Sequence, residues 1–210
     1  MKTIGGLALL AWLGLPLTGW AQAQGSAGHG DLSYTYADAR LVIQEPDGGD
    51  DFTGIRLGGA AQFHPNLFVA GALTTVSNDG VDLDTLDVGL GYRSAISADT
   101  DVVGIIGVIW ADVDAGRFGG DDDTGLSLTG GVRSALAPRF EIGAYASYVE
   151  LFGDGDVSLI GEGLLHLSPK VALVGSVSLS DDVNVLTFGA RWDFGSSGRA
   201  ASQRALQKIP

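Results

Sequence analysis

Three sets of side chains in this 210-residue sequence have the types and spacing to do chemistry. In the first, Asp38, Arg40, Arg56, Asp87, Arg93, Arg133, Glu141, Glu162, Arg191 and Asp193 are scattered singly through glycine-rich aliphatic runs. On a strand such charges share one face while their aliphatic neighbours take the other, so they can pair with one another or line a polar passage. In the second, carboxylates crowd the breaks between runs, with Asp121, Asp122 and Asp123 after Gly119-Gly120 the densest case. Their oxygens could hold Ca²⁺ or Mg²⁺ weakly, although no segment follows the ligand order of an EF-hand. The third set is His29, His64 and His166, the last of them two residues before Ser168, whose place ahead of a turn proline suits it to turn chemistry.

Composition narrows the scaffold that must position these groups. Lys2, an apolar stretch from Ile4 to Leu17 and the small-residue site Ala21-Gln22-Ala23 predict a secretory signal peptide over residues 1–23. A short N-terminal segment, 24–30, follows it. The chain has no cysteine, which removes disulfides, thiol nucleophiles, thiolate metal sites and lipoprotein anchoring. Its formal net charge of −13 argues against a nucleic-acid partner, and losing Lys2 with the leader makes the mature chain more acidic still. No motif for a cofactor is present, so none is expected. Beyond the leader, the longest apolar run, Val102 to Ala111, is too short for a spanning helix.

Two kinds of break alternate along the rest of the chain. Acidic, glycine-bearing breaks fall at 45–51, 77–82, 114–123, 152–156 and 180–184, and short breaks built on proline, serine or alanine fall at 64–66, 96–100, 137–139 and 168–170. Long loops at one end and tight turns at the other describe an up-and-down antiparallel barrel. The expected fold is all-β, a transmembrane β-barrel over 31–194. Its ten strands are 32–44, 52–63, 67–77, 83–95, 100–113, 124–136, 139–151, 157–167, 170–179 and 184–194, with eight strands as the alternative. The tail, 195–210, is predicted to be disordered on the periplasmic side.

The alternation of faces is clearest in the last strand. Leu186, Phe188, Ala190, Trp192 and Phe194 share one face, and Thr187, Gly189, Arg191 and Asp193 share the other. Thr187, Gly189, Trp192 and Phe194 resemble the C-terminal assembly signal of outer-membrane β-barrel proteins. With the strand rhythm, the chain resembles the small OmpA/OmpX-like or porin-like barrels of Gram-negative bacteria. That resemblance implies a place in the outer membrane, contact with its lipid and lipopolysaccharide, and recognition by the barrel assembly machinery. Aromatic girdles are predicted from Phe63, Phe68, Tyr92, Phe140, Trp192 and Phe194 at the turn end, and from Phe52, Trp110, Tyr148 and Phe152 at the loop end.

Inside such a barrel the ten charges are expected to form an ion-paired filling, which gives a non-enzymatic protein with a structural or surface-interaction role. The alternative is a narrow cation-preferring pore, in which inward glycines leave room for water and the acidic loops draw cations to the mouth. If the first hairpin closes about residue 48, Arg40 faces Arg56 and Asp38 is the carboxylate nearest both. An outer-membrane enzyme is the remote alternative. The strand number resembles that of the omptin proteases, and His166-Leu167-Ser168 resembles the His-x-Ser element of lipid A deacylases. All three histidines, however, fall away from the external rim where that chemistry takes place. Oligomeric state has no signature in the sequence.

Overall fold

The computed structural model describes residues 32–116 and 119–194. The expected leader, the 24–30 segment, the tail and Arg117 lie outside the described residues. Ten antiparallel strands run in chain order: β1 (Tyr36–Pro46), β2 (Phe52–His64), β3 (Leu67–Asn78), β4 (Val81–Ala95), β5 (Thr100–Asp114), β6 (Gly120–Ala137), β7 (Phe140–Leu151), β8 (Asp154–Ser168), β9 (Val171–Leu179) and β10 (Val183–Asp193). Each pairs with its sequence neighbour, and β1 pairs with β10 to close the barrel. Closure leaves no unpaired strand edge, the condition for spanning a bilayer with strands.

The faces are inverted relative to a soluble barrel. Leu41, Ile106, Leu159 and Phe188 are each more than half exposed on the outside, whereas Arg133 and Arg191 have no exposed surface on the inside. Adjacent residues supply the two conditions in turn, which is what lipid outside and polar groups within require. The alternation read in the last strand is the one the structure has, and β4, β6 and β7 alternate in the same way.

Several boundaries differ from those expected. The acidic breaks are shorter than their composition suggested, because Asp79-Gly80 and Phe152-Gly153 have positive φ at both residues and turn the chain in two. Paired positive φ values match the twist of the flanking strands, so the ladder continues without a loop. Phe152 is held in that backbone by its N–H, which donates to the Asp123 carboxylate. As a result β4 and β8 start earlier than expected, β6 does so after a short turn closed by the Ala115 N–H on the Gly119 carbonyl, and Asp82, Asp121, Asp122, Asp123, Asp154 and Asp156 lie on strands rather than in loops. Aspartate disfavours strands intrinsically, and continuous pairing overrides that preference here.

At the other end, β1 begins at Tyr36 rather than residue 32, and residues 32–35 leave the ladder to cross the barrel mouth. Phe68 does not belong to the turn-end girdle. It is fully buried inside, 5.0 Å from the ring of Tyr34. Phe52 and Phe152 likewise pack against interior clusters. Outward aromatics therefore gather mainly at the turn end, where Phe63, Tyr92, Trp192 and Phe194 are exposed.

The seam between β1 and β10 depends on one close approach. A Cβ on Gly189 would stand 2.0 Å from the carbonyl oxygen of Ala39, whereas one on Gly130 would meet nothing within 4 Å. Gly189→Val should abolish the compact, heat-modifiable band on an electrophoresis gel, because β10 could no longer dock on β1. Gly130→Val should leave that band in place, since its side chain would project outward beside Leu128.

Candidate functional site: the charged lumen

The lumen is filled in layers. All ten charges expected on the inner face are there, each no more than 6% exposed. The largest group joins three strand regions that are far apart in sequence. Arg40 grips Asp38 with two hydrogen bonds, Nε to Oδ1 at 3.1 Å and Nη2 to Oδ2 at 3.0 Å. Its Nη1 reaches Glu162 on β8, three strands round the barrel, at 3.0 Å. The register does pair Arg40 with Arg56, and Asp38 lies 3.5 Å from Arg56. Arg191 completes the group, 3.8 Å from Asp38 and 3.7 Å from Glu162, with its guanidinium 3.9 Å from the centre of the Tyr36 ring. Charged fork-to-fork contacts of this kind are strong and directional.

Two smaller groups lie toward the turn end. Arg133 pairs with Glu141, whose other oxygen is 2.6 Å from His166 Nε2. Arg93 pairs with Asp101 at 3.1 Å, and the Tyr34 hydroxyl donates to the same carboxylate at 2.9 Å. Asp193 faces the lumen at the end of β10, and its backbone N–H donates to the Lys170 carbonyl. Asp87 stands apart in a layer of small hydroxyls. Gly107 has no side chain to block it, so the Ser127 hydroxyl and Asp87 Oδ1 both reach the space above that glycine. Farther up, Thr129 bonds Ser147 at 2.9 Å and Ser176 bonds Thr187 at 2.7 Å. Val42, Val76, Leu83, Val113, Val183 and Val185 then close the loop end.

Sequence reasoning missed Asp101, His166, Tyr34 and Tyr36 as members of the filling. The inward positions of β5 are mostly aliphatic, so Asp101 sits in a strand with no visible alternation. His166 shares its parity with Glu162, which was the signal available.

The acidic end is organised differently from a metal site. Asp122 points outward with Thr124 and Leu126, while Asp121 and Asp123 belong to the other face. Asp123 is also engaged by the Phe152 N–H. The expected trio is therefore not a convergent ligand set, and among the described residues no group of three His, Cys, Asp or Glu side chains is placed to hold a metal ion. What the strands do align is an outward row, Asp84, Asp112 and Asp122, in direct register across β4, β5 and β6.

No family model matches the sequence, and no curated protein matches it. Solved structures share its general shape at low identity. The KdgM porin in complex with disordered oligogalacturonate is 11% identical, with a TM-score of 0.48 over 76% of this chain and 99% of that one. The NanC porin is 10% identical, with a TM-score of 0.44 over 75% and 100% of the two chains. Ail, the attachment invasion locus protein of Yersinia pestis, is 17% identical, with a TM-score of 0.38 over 76% and 95%. At such values the likeness says nothing about solute or partner, and the argument rests on the chain's own geometry.

Breaking one partner of the filling should be costly. Glu162→Gln leaves Arg40 and Arg191 short of a carboxylate, and loss of one member of a buried pair typically costs about 3–5 kcal/mol. The midpoint of urea unfolding in micelles should fall accordingly. The double variant Arg40→Met/Glu162→Leu should recover part of that loss, because it removes the surplus guanidinium while Asp38, deprived of its two bonds from Arg40, keeps Arg56 and Arg191 beside it.

Ten strands closed without an edge, an apolar exterior and a charged interior give this chain the build of a membrane-spanning β-barrel.

Proposed function

We propose that this is a closed, non-enzymatic barrel that serves the envelope structurally or through its surface, rather than a conduit. The observation that carries the reading is the Arg40–Glu162 contact, which reaches inside the lumen from β1 to β8, three strands round the barrel, with side-chain exposures of 1% and 0%. A passage would need charged walls that stay apart and wet. These walls meet, and the aliphatic layer at the loop end adds a second closure. Enzymatic chemistry is disfavoured by how the candidate groups are used. His166 is held by Glu141, and the Ser168 hydroxyl accepts from the N–H groups of Lys170 and Val171 in a turn. Outer-membrane lipid and lipopolysaccharide are then the molecules against the apolar outer face. The barrel assembly machinery is the proposed reader of Thr187, Gly189, Trp192 and Phe194.

Single-channel recording of the refolded mature protein in planar bilayers tests this reading. Inserted protein that remains electrically silent is the expected result. Discrete, cation-selective steps would overturn it in favour of the narrow pore.

A further inference from the structure

The closure at the turn end has a different construction from the rest of the lumen. Residues 32–35 belong to no strand, yet Leu32 and Tyr34 are 2% and 1% exposed. They lie across the mouth in the same cluster as Phe68, Ala70 and Val103. Tyr34 is held through its side chain: its hydroxyl donates to Asp101, its ring packs on Phe68, and the Arg93 guanidinium stands 5.3 Å from its centre. Thr35 is the fixed point. Its carbonyl accepts from Phe194 N–H at 2.9 Å and its hydroxyl from Gln62 N–H at 3.3 Å, which ties it to the end of β10 and to β2 on either side of β1.

We infer that Leu32–Tyr34 form a displaceable strap hinged at Thr35, so that the barrel interior has one end that opens, at the turn side, and one that does not. Three features set the strap apart from the walls. It lacks a ladder, and segments without one open at lower free energy than the strands beside them. Its departure strands no buried charge, because Asp101 keeps Arg93 at 3.1 Å when the Tyr34 hydroxyl leaves. Finally, the Arg93–Asp101 pair lies among the groups it covers, so water entering there finds charged groups beside the apolar side chains of Phe68, Ala70 and Val103. The loop-end layer has none of these properties, since its side chains are all carried by paired strands.

The absence of native cysteine allows a direct test with single-cysteine reporters in otherwise full-length mature protein. Ala70→Cys lies beneath the strap and Val76→Cys lies in the loop-end layer; the native residues are 3% and 2% exposed. The probe is a charged maleimide applied to refolded protein in micelles, with the heat-modifiable band confirming a folded barrel. Both reporters should be protected in the parent. Tyr34→Ala should expose the Ala70→Cys thiol while the Val76→Cys thiol stays protected. If Tyr34→Ala does not fold, Tyr34→Phe keeps the ring and removes only the bond to Asp101. It should speed labelling about tenfold, the scale set by one charged hydrogen bond in an opening equilibrium. Unchanged labelling in a folded strap variant, prompt labelling in the parent, or parallel exposure of both reporters would each overturn the strap. Conductance of the parent bears only on the closed-barrel reading, so failure of that reading and failure of the strap give distinguishable results.

Discussion

Arg40 on β1 and Glu162 on β8, three strands round the barrel, meet inside the lumen although their strands share no backbone hydrogen bonds, and the rest of the interior is arranged around that contact. A ten-stranded barrel is wide enough that side chains from opposite walls must be long to touch. Arginine is long, permanently charged and able to bind two carboxylates at once, which suits it to the task. Once it is enclosed by strands with apolar outer faces, each guanidinium needs a partner inside. Asp38, Glu162, Glu141 and Asp101 supply that need within three connected regions of the lumen. Ion pairs of this kind contribute little net stability but penalise any register that separates them. A slip of one residue in β1 would turn Asp38 and Arg40 toward lipid.

The glycines and the tight turns serve the same end. Gly189 lets β10 lie close against β1 at the level of Arg40, so the seam closes where the network is densest. The positive-φ pairs Asp79-Gly80 and Phe152-Gly153 carry strand pairing up to the loop end, and the aliphatic layer there is held by ladders on every side. The turn end is closed by side chains borrowed from outside the ladder, and stiffness is correspondingly uneven along the barrel axis.

Much of this was legible from period-two patterning. Where one face of a strand is charged and the other aliphatic, as in the strands carrying Asp87, Arg133, Glu141 and Arg191, the inward residues could be assigned from the sequence directly. The Arg40–Arg56 pairing followed from the symmetry of a single hairpin. Contacts between non-adjacent strands did not, because nothing local to Glu162 indicates that Arg40 will arrive from three strands away. Asp101 was hidden by the aliphatic inner face of β5. The acidic breaks were read as loops because aspartate and glycine disfavour strands, whereas two-residue turns and continued pairing carried the strands through them. Phe68 was placed at the lipid interface by composition, but its parity and the arrival of Tyr34 put it inside.

The central claim, a lumen sealed by mutual pairing of its charges, is tested most directly by hydrogen exchange at the arginine side chains. With arginine labelled in nitrogen-15 and the barrel refolded in micelles, the Nε protons of Arg40, Arg133 and Arg191 should persist in deuterated buffer long after that of exposed Arg139 has vanished. Exchange of all four at the rate of Arg139 would mean that water reaches the network freely, and the sealed lumen would have to be abandoned.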